Sequence, residues 1–145
     1  EDFREDVLNY VGLFADETDL EQCSRNQYVF YGNHSYTHYV SCLMKDDELL
    51  NDVEKNAKIL RAYPNYLNYF AFPFGQPDSC FSDEQIKILL KNGTKKVFRS
   101  SDTINRDSSS CYLDRLSLTN WEDSNEKFWY NVFKAQIRPY YKMIF

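Results

Sequence analysis

Apolar and polar residues along this chain alternate between two periods. Phe3, Val7, Tyr10, Val11 and Phe14 recur at helical spacing, which predicts an amphipathic helix over residues 3–15. Residues 16–26 are polar and read as loop. The aromatic and β-branched run Tyr28 to Tyr31 predicts a strand ending at Gly32. Lys45 to Tyr63 predicts a second helix, with Asp46, Asp47 and Glu48 placed to favour its dipole. Leu49, Leu50, Val53, Ala57 and Leu60 form its buried stripe, and Pro64 stops it. Leu67 to Phe72 predicts a strand. Ser82-Asp83-Glu84-Gln85 is a capping box for a helix that Asn92-Gly93 closes. Lys95 to Arg99 predicts a strand, Ser101 to Ser110 a polar loop, and Tyr112 to Leu118 another strand. Asp123 or Ser124 caps a last helix carrying Phe128, Trp129, Val132 and Phe133, and Tyr140 to Phe145 reads as a final strand. Strands thus alternate with helices, which predicts an α/β fold with a parallel sheet or barrel of βα units. There is no internal repeat, linker or low-complexity tract.

Composition narrows the picture. The chain has 145 residues, enough for one domain with a core of its own. Net charge is −5, which argues against nucleic acid or an anionic membrane as partner. No apolar run approaches the about 20 residues of a membrane span. Aromatic residues are abundant, with 12 Tyr, 11 Phe and 2 Trp, and such rings serve either a core or a sugar-binding face. Cys23, Cys42, Cys80 and Cys111 are scattered with no C-x-x-C pair, so a cysteine zinc site is not indicated. Free thiols and one or two disulfides both remain open, and with them the compartment. Asn33-His34-Ser35 and Asn92-Gly93-Thr94 match the glycosylation pattern, as short patterns do by accident.

Candidate chemistry gathers at Gly32-Asn33-His34-Ser35-Tyr36-Thr37-His38, which holds both histidines of the chain. His34 and His38 stand four apart, so a helical turn would bring them to one metal ion. The zinc-protease pattern H-E-x-x-H needs a Glu after its first His, and Ser35 stands there instead. The segment begins where a strand is predicted to end, which is where α/β folds place their sites.

Three stretches in order carry a resemblance. The segment from Gly32 to His38 resembles the H-[ST]-x-x-H metal motif of the polysaccharide deacetylases (carbohydrate esterase family four, the NodB-homology domain). Phe70-Ala71-Phe72-Pro73-Phe74-Gly75 resembles that family's F-A-Y-P-Y-G variant motif. Val97-Phe98-Arg99-Ser100, Ile104-Asn105 and Leu113-Asp114-Arg115-Leu116 resemble its later strand, loop and strand. Together they span roughly residues 28 to 135. The resemblance implies a distorted (β/α) barrel with its site at the C-terminal ends of the strands. It implies a hydrolase acting on carbon–nitrogen bonds other than peptide bonds: metal-dependent removal of N-acetyl (or O-acetyl) groups from polysaccharide, by attack of metal-bound water on the acetyl carbonyl. His34 and His38 would be ligands of a divalent metal, usually zinc. The Phe74 backbone N–H would be an oxyanion donor, Pro73 and Gly75 would shape that turn, and Tyr36 and Phe72 would line the substrate groove. Family members acting on walls and capsules work outside the cytoplasm or at the cell envelope, while the compartment of this chain stays open.

The pattern is incomplete. The family's T-F-D-D run, source of its base and third metal ligand, has no counterpart; Phe14-Ala15-Asp16-Glu17 lies too close to His34, and Asp16 reads better as a solvated helix end. Ala71 replaces the family's Arg, whose task of orienting a carboxylate Arg115 or Arg99 would take over. No third His serves a late L-x-H motif. Glu1 at the start and a strand-like end favour a single deacetylase-like domain, 1–145, without its first strand and C-terminal end. The 145 residues alone are then expected to be inactive, unless paired with the remaining parts or another chain. The competing reading is a non-catalytic carbohydrate-binding or degenerate deacetylase-like domain. A plain α/β interaction domain with packed histidines is the third.

Overall fold

A computed structural model describes residues 15–116 and 124–141. Helix α1 (Glu17–Ser24) precedes β1 (Tyr31–Asn33), and a short 3-10 turn (Ser41–Leu43) leads to α2 (Asp46–Leu60). Then come β2 (Tyr66–Ala71), α3 (Asp83–Lys91), β3 (Lys96–Arg99), β4 (Tyr112–Asp114) and α4 (Asn125–Tyr141). The strands form one parallel sheet in the order β1-β2-β3-β4. The chain is therefore an α/β protein, as the alternation predicted. Among the described residues the sheet is open, because β1 and β4 do not pair.

The core lies on one face of the sheet. Phe70 and Val97, register partners on β2 and β3, meet Leu49 of α2 and Ile86 and Leu89 of α3. Phe72 and Phe81 stack within it, their ring centroids 4.1 Å apart. The opposite face carries Leu67, Tyr69, Ala71 and Phe98, all partly exposed. No described helix is long and apolar enough to cross a membrane.

Local chemistry sets the element boundaries. Ser82 Oγ accepts from the Gln85 N–H while Gln85 Oε1 accepts from the Ser82 N–H, so the predicted capping box opens α3. Gly93, at φ 96°, follows Asn92 at its end. Residues 16–26, expected as loop, instead hold α1. Asp16 Oδ1 accepts from the Asp19 N–H at 2.9 Å, and Asp19 Oδ2 accepts from the Asp16 N–H at 3.1 Å. This acidic box does what Ser and Glu more often do.

The first strand starts three residues later than expected. Asn26 Oδ1 accepts from the Tyr28 N–H, and the Asn26 carbonyl accepts from Val29, so a side-chain-closed turn takes up the run's first residues. Tyr140 and Tyr141, expected to open a strand, end α4 instead. Helix propagation from Ser124 outweighs their β preference. The predicted helix over 3–15 falls outside the described residues except for Ala15, as do 117–118 of the fourth strand and 142–145 at the end.

Candidate functional site

The His-bearing segment leaves β1 through Asn33, which is only 2% exposed. Its side chain is used three ways. Oδ1 accepts from the Ser35 N–H and from Asn56 Nδ2, and Nδ2 donates to the Val53 carbonyl at 2.8 Å. Asp52, also buried, accepts from the Tyr36 N–H at 2.8 Å and the Thr37 N–H at 3.0 Å. Ser35 Oγ accepts from the His38 N–H at 2.8 Å. Three side-chain acceptors thus take amide protons that a helical turn would direct to its own carbonyls. Residues 34–38 form a loop, with Ser35 at φ 64° and His38 at φ 53°, rather than the helical turn their spacing suggested.

That loop still brings the two imidazoles together. Their ring centroids lie 5.0 Å apart at an interplanar angle of 72°. Nδ1–H of His34 donates to the Ala71 carbonyl at 2.7 Å, which leaves the lone pair on Nε2. Burial is the main force holding the His34 pKa below its ordinary value; the Ala71 bond opposes it, and the charges of His38 and Arg115 add to it. His34 is thus disposed to be neutral, the form that binds a metal. His38 is exposed, and its ring packs on Phe74 at 5.1 Å.

Phe74 sits in a tight turn beyond β2 at φ 61°, 55% exposed. Gly75 follows at φ 64°, where a Cβ would lie 2.6 Å from an Arg115 guanidinium nitrogen and 2.8 Å from Ser100 Cβ. Only glycine fits there. Arg115 enters from beyond β4, donates to the Phe72 carbonyl at 3.0 Å, and loses pKa to burial. Its Nε finds no partner among the described residues. Two successive carbonyls at the end of β2 therefore hold His34 from one side and Arg115 from the other.

Of the residues named from sequence, His34, His38, Phe74 and Arg115 converge on this end of the sheet, with Gly75 between them. Tyr36 is exposed on the same loop, its ring under Lys55 Nζ at 3.8 Å. Phe72 is a correction: it is fully buried in the core and lines no groove, because it shares the helix-covered face with Phe70. Pro73 and Gly75 are buried as well, and they act on the turn rather than on a surface. Arg99 is occupied, its guanidinium paired with Asp114 at 2.8 and 3.2 Å, while Ser101 Oγ donates to the same carboxylate. Among the described residues no carboxylate pairs with Arg115. Asp16 is committed to capping α1.

Two positioning residues were missed in the sequence. Asp52 and Asn56 lie four apart on α2, beside the apolar positions Leu49 and Val53. Polar groups on a helix's buried stripe are the signal that would have found them. A cleft of about 200 Å³ opens on the sheet face away from α2 and α3, lined by Phe30, Leu67, Tyr69, Ala71, Phe98 and His34. No group of three or more His, Cys, Asp or Glu placed to hold a metal occurs among the described residues. Compared with family models, curated proteins and solved structures, the chain matches none of them.

Proposed function

We propose that this chain carries part of a polysaccharide deacetylase site, with His34 and His38 holding a divalent metal and acetylated polysaccharide as substrate. One observation carries the reading. The His34 ring is fixed by its Nδ1–H bond to the Ala71 carbonyl at 2.7 Å, its free nitrogen left available beside His38. Metal-bound histidines are oriented in this way by a second partner, and paired imidazoles suit zinc. The two residues fit the metal in kind but supply two of the usual three protein ligands. Under the proposal the third ligand, the base and the acid come from outside the described residues or from another chain.

A bound zinc would supply carbonyl polarisation and a water of lowered pKa. The chain's own groups would do the rest: the Phe74 N–H would meet the developing oxyanion, and Arg115 would orient the incoming carboxylate. The sheet would then belong to a distorted (β/α) barrel. Sequential parallel strands, α2 and α3 on one face and apolar residues on the other support that architecture.

A second reading has its own support. Tyr36, Tyr39 and Phe74 expose aromatic rings along the two site loops, and no three-ligand group is present among the described residues. A degenerate, sugar-binding domain would look like this. Calorimetric titration with zinc, and with chitooligosaccharides in chelator, separates the readings. The deacetylase reading predicts zinc binding that is weakened at least tenfold in both His34→Ala and His38→Ala. Absence of zinc binding together with sugar affinity in chelator would replace it with the second reading.

A further inference from the structure

Two of the four cysteines are joined by their backbones across the loops that carry the site. Cys42 lies in the turn Ser41–Leu43, shortly after His38, and Cys80 lies between β2 and α3, shortly after Gly75. The Cys42 N–H donates to the Cys80 carbonyl at 2.9 Å. Standard bond lengths then cap the Cα–Cα separation at about 6.8 Å. Disulfides span about 4.4–6.8 Å between Cα atoms. Both sulfurs bracket Ser79: Cys42 Sγ is 3.0 Å from its carbonyl, and Cys80 Sγ is 3.7 Å from its Oγ. The backbone around them is fixed, since Cys80 N–H donates to the Gln76 carbonyl and Gln85 Nε2 to the Ser41 carbonyl. Cys23 and Cys111 offer no such pairing. One sits in α1, tied to the β1 edge through the Tyr31–Leu20 bond, and the other beside β3 at the β4 edge.

We infer that Cys42 and Cys80 form a redox-controlled disulfide that clamps the His38 loop to the Phe74 turn. A small-molecule disulfide such as oxidised glutathione is the oxidant. Cys42 is exposed, and its thiolate attacks the glutathione S–S bond, forming a mixed disulfide and releasing one glutathione thiolate. The Cys80 thiolate then attacks Cys42 Sγ and expels the second. Two cysteine thiols lose two electrons and two protons in total, and the oxidant becomes two thiols. The closed ring contains α2 and β2, so the bond removes a long loop's freedom from the unfolded chain.

The test incubates the whole chain in glutathione buffers from reducing to oxidising. It is then alkylated, digested without reductant and read by mass spectrometry. A Cys42–Cys80 linked peptide is expected, with Cys23 and Cys111 alkylated. The thermal midpoint should be about 10 °C higher in the oxidised buffer. That difference should vanish in Cys42→Ser, whose exposed position leaves the fold intact, and in Cys80→Ala. Alkylation of both cysteines in every buffer, or linkage of either to Cys23 or Cys111, overturns the inference. So does an oxidative shift that persists in Cys42→Ser.

Discussion

Phe72 and Phe74 stand two apart in one aromatic run, yet their surroundings differ completely. Phe72 is 0% exposed against Phe81, and Phe74 is 55% exposed against His38. Phe72→Ala should therefore cost about 3–5 kcal/mol of unfolding free energy in a denaturant titration. Phe74→Ala should cost less than about 1 kcal/mol while altering the His38 environment. Equal losses at the two positions would contradict this division. Between them and Arg115 lies Gly75, whose conformation and crowding admit no side chain. Gly75→Ala should destabilise by about 2 kcal/mol or more, because left-handed strain adds to displacement of the guanidinium.

At the scale of elements, α2 both covers the core and holds the site. Its apolar stripe packs on the sheet, and Asp52 and Asn56 fix the histidine loop from the same helix. Asp52→Ala should leave the Tyr36 and Thr37 amides without their acceptor, costing about 1–3 kcal/mol. Amide hydrogen exchange at those two residues should quicken markedly, and less so in Asp52→Asn, which keeps an acceptor oxygen. Unchanged exchange in Asp52→Ala would remove α2 from that role.

What was legible in the sequence follows the same division. Elements with local signals, such as the Ser82 box, the Asn92-Gly93 end and the α2 stripe, were readable because neighbours in sequence decide them. The Asp16–Asp19 box escaped because a polar, mostly acidic stretch reads first as solvated loop. The late start of β1 escaped because Asn26 closes a turn that aromatic propensity hides. Asp52 is a tertiary partner of a loop more than a dozen residues away, and no local pattern marks that pairing. His34 and His38 were legible as a pair, but for a different backbone reason than the spacing suggested.

For the molecule as a whole, the parallel sheet gathers a half-buried histidine, a half-buried arginine and an open turn at one end. That arrangement couples stability to pH. An unfolded chain protonates His34 near its ordinary value of 6.5, whereas burial and the nearby His38 and Arg115 charges make the folded chain take that proton only at lower pH. Between the two values the unfolded state binds more protons, so folding stability rises with pH there. His34's contribution is fully present above about pH 6.5 and declines as the solution is acidified through the folded pKa. Thermal unfolding of the metal-free chain from pH 7.5 to 5.5 should show the midpoint falling. The fall should be shallower in His34→Asn, which has no proton to take up. Parallel acid profiles in wild type and His34→Asn would mean that the Ala71 bond outweighs burial at His34. Under the proposed metal reading, zinc between the histidines would act in the same direction, because it takes only the neutral rings. The pH dependence should then steepen as zinc is added, since each proton competes directly with the metal.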